Sequence, residues 1–313
     1  MSTIAFLGLG HMGLPMARNL LGAGHDVVGF DVVPAAIDAA RSAGITVAAS
    51  ASEAVADAEV VVTMLPSGRH VIDAYRGTAD APGLLAAAPA GTLFIDSSTI
   101  AVDESREAHA LAQAAGHRSL DAPVSGGVVG AENATLAFMV GGADEDFATA
   151  LPLLETMGRR IVHCGGAGLG QAAKVCNNMI LGVSQIAVAE AFVLGERLGL
   201  THEALFDVAS NASGQCWALT TNCPVPGPVP TSPANRDYEP GFAGALMSKD
   251  LGLAELAIAL TGVDARMGLL AREIYRDFAA GEGAGRDFSG IIETVRAQSR
   301  DGAGAQSDRA ADA

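Results

Sequence analysis

Apolar and polar positions alternate in two ways along the first half of the chain. Short apolar runs at 4–7, 27–30, 59–65, 92–95, 119–122, 137–140 and 161–163 predict β-strands. Between them, apolar residues recur at helical spacing over 14–21, 35–43, 103–115 and 144–156. Strands that alternate with helices are typical of an α/β domain with a doubly wound, mostly parallel sheet.

The pattern changes after Gly170, where long helical segments follow one another at 171–198, 202–210, 243–261 and 266–279 without a further strand signal. A chain of 313 residues is also longer than one hydrophobic core usually supports. We therefore predict an α/β domain over 1–163, an all-α domain over 164–300 that begins with a long interdomain helix, and a flexible tail over 301–313.

One long segment of the predicted second domain shows neither a helical nor a strand pattern. Residues 221–240 contain six prolines, which exclude continuous helix or strand. The only tryptophan, Trp217, lies just before this segment. We expect Trp217 to anchor an ordered loop.

Composition and charge exclude several functions. The chain is 50% hydrophobic with a net charge of −16 and has no run of basic residues, so partnership with nucleic acid or an anionic membrane surface is not expected. The apolar helix over 171–198 carries charged and amide residues, which favour a buried helix over a membrane span. The chain starts without a targeting pattern, and we expect a cytoplasmic protein.

The four cysteines, Cys164, Cys176, Cys216 and Cys223, have neither disulfide-like pairing nor metal-ligand spacing. We expect buried free thiols, with Cys176 serving only in packing, and no metal site.

A glycine motif follows the first predicted strand. Gly8, Gly10 and Gly13 form G-x-G-x-x-G between a strand and a helix, the setting in which this motif binds the pyrophosphate of a dinucleotide. The alternative is a glycine-rich turn that binds nothing. The cofactor-binding residues predicted here are Gly8, Leu9, Gly10, His11, Met12 and Gly13.

Asp31 ends the second predicted strand, at the place where an acidic side chain accepts hydrogen bonds from the adenosine ribose. The next residues are Val32, Val33 and Pro34, so no basic side chain follows Asp31 that could pair with the negative charge of a 2′-phosphate. We predict NAD as the cofactor and weak use of NADP. The alternative is that Asp31 only solubilises the strand end.

Only two of the 19 basic residues are lysine, Lys174 and Lys249. Lysine can release a proton near neutral pH when it is buried, whereas arginine cannot. Lys174 begins the apolar helix, and Asn178 lies one turn later on the same face. This pair suits proton transfer at a hydroxyl or carbonyl, although two ordinary surface lysines are the alternative.

Six motifs in order resemble the β-hydroxyacid dehydrogenase family: FLGLGHMGLPMA (6–17), MLP (64–66), IDSSTI (95–100), DAPVSGG (121–127), GAGLGQAAKVCNNM (166–179) and FAGALMSKDLGLA (242–254). The stretch over 213–238 resembles the hydroxyisobutyrate branch. The resemblance implies a Rossmann domain, an all-α domain and an active site in the cleft between them. The activity it implies is NAD-dependent oxidation of a small 3-hydroxy acid, 3-hydroxyisobutyrate first, as in valine degradation, by a homodimer or homotetramer.

The same resemblance implies roles for individual residues. Lys174 would be the catalytic acid/base, and Asn178 would hold the reacting oxygen. The substrate carboxylate would lie at Ser125, Gly126 and Gly127. Further cofactor contacts would come from Leu65, Pro66, Thr99 and Lys249, with Asp250 supporting Lys249.

Three alternatives stay open at this point. A tartronate semialdehyde or glyoxylate reductase would share every motif except the proline-rich loop. A noncatalytic NAD-binding module could use the same fold. An NADP-linked imine reductase is disfavoured by Asp31 and Lys174.

Overall fold

The computed structural model describes residues 1–77 and 82–299. The tail predicted over 301–313 lies outside these residues. The chain divides into two compact units, which are Met1–Lys174 and Val175–Ala313.

The first unit is built on one sheet of nine strands. These are β1 (Thr3–Leu7), β2 (Asp26–Phe30), β3 (Thr46–Val47), β4 (Val60–Thr63), β5 (Leu93–Asp96), β6 (Arg118–Asp121), β7 (Val124–Ser125), β8 (Leu136–Gly142) and β9 (Gly158–Gly165). The order is β3-β2-β1-β4-β5-β6-β8-β7, and β9 also pairs with β8. The first six strands in this order are parallel, whereas β8 runs antiparallel to β6 and β7. The order of those six strands is that of a Rossmann sheet.

Helices cover both faces of this sheet. They are α1 (Gly13–Gly22), α2 (Pro34–Ser42), α3 (Ala51–Val55), α4 (Gly68–Arg76), α5 (Leu84–Ala87), α6 (Val102–Ala114), α7 (Gly127–Glu132) and α8 (Asp144–Leu154). Alternate residues of the central strands enter different cores: Phe6 and Val62 lie in one, and Ala5 and Val61 in the other. This two-sided burial explains why the strands read as continuous apolar runs.

The long helix α9 (Leu169–Leu198) starts in the first unit and continues in the second. By length and composition alone it could cross a membrane, but half of its most apolar 18-residue window is buried within the protein. Partial burial of this kind is also found in a core helix of a globular protein.

The second unit is helical and contains no strand among its described residues. It comprises the rest of α9, then α10 (His202–Ser210), α11 (Trp217–Thr220), α12 (Gly244–Thr261), α13 (Arg266–Ala279) and a helix over 291–299, with short 3-10 helices at Pro233–Arg236, Glu282–Gly285 and Phe288–Gly290. The predicted fold class, an α/β Rossmann domain followed by a helical region, is confirmed.

The proline-rich segment is ordered, but the prediction that Trp217 anchors it is wrong. Trp217 is 52% exposed. Val225 and Tyr238 are buried in the core of the second unit instead, and the Tyr238 hydroxyl donates to the carbonyl of Pro224 at 2.8 Å. These contacts hold the loop against the helices.

The cysteines differ from the prediction in their burial. All four are free thiols, but only Cys223 is buried, and Cys176 is exposed. Cys176 is therefore not a packing residue of this chain, because its position on α9 points outward.

Candidate active site

The turn from β1 to α1 has no room for side chains at two of its glycines. Gly8 has φ +93°, and a Cβ there would lie 2.2 Å from the carbonyl oxygen of Met64. A Cβ on Gly13 would lie 1.8 Å from the carbonyl oxygen of Gly8. The turn and the first helical residue thus pack backbone to backbone, as the motif predicts.

Gly10 is different, because a Cβ there would meet no atom within 4 Å. It is exposed and lies beside exposed His11 and half-buried Met12, while Leu9 is buried beneath the turn. The helix that follows, α1, has no side-chain cap. Open space before uncapped helical N–H groups fits the pyrophosphate of a dinucleotide.

Asp31 fixes the same turn from the end of β2. Its carboxylate accepts hydrogen bonds from the backbone N–H of Leu9 at 2.6 Å and of Val33 at 2.8 Å. The negative charge therefore lies beside the glycine turn, where an adenosine ribose would be recognised.

The predicted cofactor residues Leu65, Pro66 and Thr99 follow the neighbouring strands β4 and β5, whose carboxyl ends lie at the same sheet edge as that of β1. The N–H of Leu65 donates to Ser98 Oγ at 2.8 Å, which ties the two segments together. Because β1 and β4 are adjacent and lead to opposite sides of the sheet, this edge is the crevice where such folds bind ligands.

Lys174 and Ser125 come together in the structure. Lys174 is only 6% exposed, and its Nζ donates to Ser125 Oγ at 3.0 Å. Ser125 ends the short strand β7, which pairs with β8. The two residues are 49 positions apart in the sequence, and the fold places the amino group of Lys174 on the predicted substrate-binding serine.

The two glycines after Ser125 both have positive φ, +133° at Gly126 and +62° at Gly127. Such angles are accessible to glycine at little cost but strain other residues. The chain therefore turns sharply beside Lys174, where backbone N–H groups can approach a carboxylate.

Asp121 fixes the start of α9, and its role was missed in the sequence. The buried carboxylate accepts from the N–H of Gly168 and of Gln171, each at 2.8 Å, and lies 3.0 Å from His109 Nε2. A Cβ on Gly170 would lie 2.4 Å from the carbonyl oxygen of Met139. The first turn of the lysine-bearing helix is thus pressed onto the sheet.

Gln171 was also missed. It is fully buried, its Nε2 donates to the carbonyl of Ser98 at 2.7 Å, and its Oε1 accepts from the N–H of Ile100 at 3.2 Å. No periodicity or motif rule indicates such a long-range contact.

Asn178 lies one turn after Lys174 on α9 and is buried. Its Nδ2 donates to Asp250 Oδ2, and its Oδ1 accepts from Asn177 Nδ2 at 2.9 Å. Asp250 therefore contacts Asn178, a partner that the sequence did not suggest. The predicted cofactor contact Lys249 lies beside Asp250 on α12 and is half-buried.

The carboxyl ends of β1, β4 and β5, with the residues that follow them, form what is called here the cofactor edge. One buried carboxyl at this edge, that of Asp96, has an altered pKa. Burial raises the pKa of Asp96 from 3.8 to about 6. Its Oδ1 accepts from Thr63 Oγ1 at 2.7 Å and from the N–H of Ser98 at 3.1 Å, whereas its Oδ2 has no hydrogen-bond partner among the described residues. The side chain of His70 is exposed, and its Nδ1 lies 2.7 Å from Ser67 Oγ.

Comparison with known families agrees with this architecture. Residues 3–166 match the family described as the NAD binding domain of 6-phosphogluconate dehydrogenase. Residues 168–295 match the family described as NAD-binding of NADP-dependent 3-hydroxyisobutyrate dehydrogenase.

Individual relatives are similar over nearly the whole chain. A probable 3-hydroxyisobutyrate dehydrogenase of Mycobacterium tuberculosis is 60% identical over 95% of this chain and 99% of its own. An NAD-dependent L-serine dehydrogenase of Pseudomonas aeruginosa is 48% identical over 92% of this chain and 96% of its own. The structure of the M. tuberculosis 3-hydroxyisobutyrate dehydrogenase with L-serine has a TM-score of 0.90, at 60% identity over 95% of this chain and 99% of that one.

The Rossmann sheet, the glycine turn and the family matches together define an oxidoreductase that uses a nicotinamide dinucleotide, and the predicted cofactor class is confirmed. More particularly, the chain belongs to the 3-hydroxyisobutyrate dehydrogenase family, as its motifs predicted.

Proposed function

We propose that this protein oxidises 3-hydroxyisobutyrate to methylmalonate semialdehyde with NAD, which would serve valine degradation. The observation that carries the proposal is the contact between Nζ of the buried Lys174 and Oγ of the half-buried Ser125. The contact brings together two groups. Lys174 can exchange a proton with the substrate hydroxyl, and the Ser125 hydroxyl can bind the substrate carboxylate, which are the two functions that a 3-hydroxy acid requires.

In this proposal, neutral Lys174 accepts the proton of the substrate hydroxyl while the adjacent carbon loses a hydride. Bound nicotinamide supplies the acceptor for that hydride. Ser125 and the turn at Gly126 and Gly127 hold the substrate carboxylate, and Asn178 orients the reacting oxygen through its amide. In the reverse direction, protonated Lys174 returns the proton to the carbonyl oxygen.

We propose NAD over NADP because of Asp31. Its carboxylate is fixed by the N–H groups of Leu9 and Val33 and so cannot easily swing away from an added 2′-phosphate. The residues that follow are Val32, Val33 and Pro34, which bring no positive charge to this place.

L-serine is the second candidate substrate. It is favoured by the 48% identity to the P. aeruginosa L-serine dehydrogenase and by the L-serine in the M. tuberculosis structure. Both candidates carry a hydroxymethyl group and a carboxylate, so Lys174 and Ser125 would act on either. They differ at the central carbon, which bears a methyl group in one and an ammonium group in the other.

The test is the initial rate of NAD reduction with the two enantiomers of 3-hydroxyisobutyrate, 3-hydroxypropionate, L-serine and glycerate, each repeated with NADP. The proposal expects the highest kcat/KM for one 3-hydroxyisobutyrate enantiomer with NAD. A higher value for L-serine would establish the second candidate, and one for glycerate would indicate a tartronate semialdehyde reductase. Absence of turnover with all of them would favour a noncatalytic NAD-binding module.

We also propose that the protein forms a homodimer or homotetramer. Large apolar side chains are exposed on the helices of the second unit, among them Leu256, Leu260, Met267 and Leu270. Exposed apolar surface of this kind is typical of a subunit interface. Light scattering after size exclusion would test this, and a monomer at micromolar concentration would contradict it.

A further inference from the structure

The side chain of Gln171 contacts the main chain on both sides of Thr99. Its Nε2 donates to the carbonyl of Ser98 at 2.7 Å, and its Oε1 accepts from the N–H of Ile100 at 3.2 Å. One amide therefore pairs with two backbone groups, as a residue of a neighbouring strand would. The side chain is fully buried, so water cannot replace either bond at low cost.

Gln171 is at the same time fixed to the sheet through its own main chain. Its N–H donates to Asp121 Oδ2 at 2.8 Å in the first turn of α9. Lys174 follows one turn later on that helix, with its Nζ on Ser125 Oγ. A single residue thus links the Ser98–Ile100 segment, the sheet and the helix that carries the lysine.

We propose that Gln171 is a positioning residue, which holds the Thr99 segment of the cofactor edge at a fixed place relative to Lys174. The inference rests on the proposed function, because its catalytic consequence is the alignment of hydride and proton transfer. Misplacement of reacting groups by about 1 Å can cost about 100-fold in rate. Gln171 exerts its effect through Thr99 and Lys174 and is not proposed to contact the substrate.

The chain offers a matched control on the same helix. Gln185 is also fully buried on α9, but its amide oxygen and nitrogen have no hydrogen-bond partner among the described residues. Gln171→Met and Gln185→Met make the same chemical change, and only the first removes bonds to the main chain. Gln171→Glu keeps the acceptor for Ile100 and regains a donor for Ser98 when the new carboxyl is protonated.

The experiment measures kcat and the NAD dissociation constant of the full-length variants at about pH 6 and about pH 8.5. We expect Gln171→Met to lose about 10- to 100-fold in kcat while the dissociation constant changes less than about threefold. Gln185→Met should keep the wild-type kcat. The ratio of the Gln171→Glu rate to the wild-type rate should rise at least about fivefold at the lower pH, because protonation restores the second bond. A merely structural role would not produce this pH-dependent ratio.

Equal kcat values for Gln171→Met and Gln185→Met, or a Gln171→Glu ratio that is the same at both pH values, would overturn the inference. Hydrogen exchange at the Ile100 amide gives a readout without turnover. It should be at least about tenfold faster in Gln171→Met and unchanged in Gln185→Met. A wild-type protein that is silent with every hydroxy acid would refute the proposed function alone, and the exchange result would then decide whether Gln171 holds the segment.

Discussion

Replacement of Asp96 by asparagine should change how the stability of the protein depends on pH. The carboxyl is buried beneath the cofactor edge, and one of its oxygens has no hydrogen-bond partner among the described residues. Burial is the largest cause of its raised pKa, and the nearby carboxylate of Asp121 raises the pKa further. Hydrogen bonds from Ser98 and Thr63 lower the pKa but do not offset the burial.

The magnitude follows from the two protonation equilibria. The pKa of Asp96 is about 6 in the folded protein against an ordinary value of 3.8. One pKa unit corresponds to about 1.4 kcal/mol, so ionised Asp96 lowers the free energy of unfolding by about 3 kcal/mol. Because the folded state binds the proton more tightly, this cost is absent well below pH 3.8, grows as the pH rises through the window up to about 6, and is complete above it.

Asp96→Asn cannot ionise, yet it keeps an oxygen for Thr63 and Ser98. The new amide N–H group adds a cost of about 1–3 kcal/mol if it stays unpaired, but that cost does not depend on pH. The unfolding free energy of the variant minus that of wild type should therefore rise by about 2.5 kcal/mol between pH 4 and pH 8. Urea unfolding followed by circular dichroism at several pH values measures this difference.

Asp57→Asn is the control, because it makes the same substitution at an exposed carboxyl, and the rise with pH should be larger for Asp96→Asn than for Asp57→Asn. A flat difference for Asp96→Asn over the same range would contradict the raised pKa of Asp96 in the folded protein. It would mean that the carboxyl is ionised at no cost in the folded protein.

Three further substitutions test the site. Asp31→Asn should shift the ratio of kcat/KM for NADP over NAD upward by at least about tenfold, because the charge facing a 2′-phosphate is gone, and an unchanged ratio would show that Asp31 does not select the cofactor. Ser125→Ala should raise the KM for the hydroxy acid about tenfold while NAD binding, measured by fluorescence titration, stays within about twofold; a change confined to NAD would contradict its assignment. Asp250→Asn should lower kcat by about 10- to 100-fold, because Asn178 loses a charged hydrogen-bond acceptor. A wild-type kcat would show that the hydrogen bond from Asn178 to Asp250 is not needed for turnover.

The sequence predicted those parts of the fold that repeat a pattern over several residues. The strands with long apolar runs and the helices of eight or more periodic positions were found, with the exceptions of α4 and the helix over 291–299. The two-residue strands β3 and β7 were missed, because two residues cannot display an alternation. The short helices α3, α5 and α7 were missed for the same reason. The antiparallel course of β8 depends on pairing with β6, which no local pattern records.

In the site, the residues that a motif places could be predicted, and the structure brings Lys174 to Ser125. The supports behind them could not be predicted. Asp121 and Gln171 act through contacts between segments separated by about 50 to 70 positions, and their partners are main-chain groups that carry no side-chain identity. The exposure of Cys176 and Trp217 was misjudged because hydrophobic residues are buried on average only, and a single position can depart from the average.

In the proposed reaction, Lys174 exchanges the proton during hydride transfer. Lys174→Arg keeps a positive charge but cannot release a proton near neutral pH. The most direct measurement is the single-turnover rate of NAD reduction by this variant and by wild type, together with NAD binding to both. We expect NAD binding within about threefold of wild type and a loss of at least about 100-fold in the single-turnover rate. A variant that binds NAD and retains more than about a tenth of the wild-type rate would contradict the assignment of Lys174 as the acid/base.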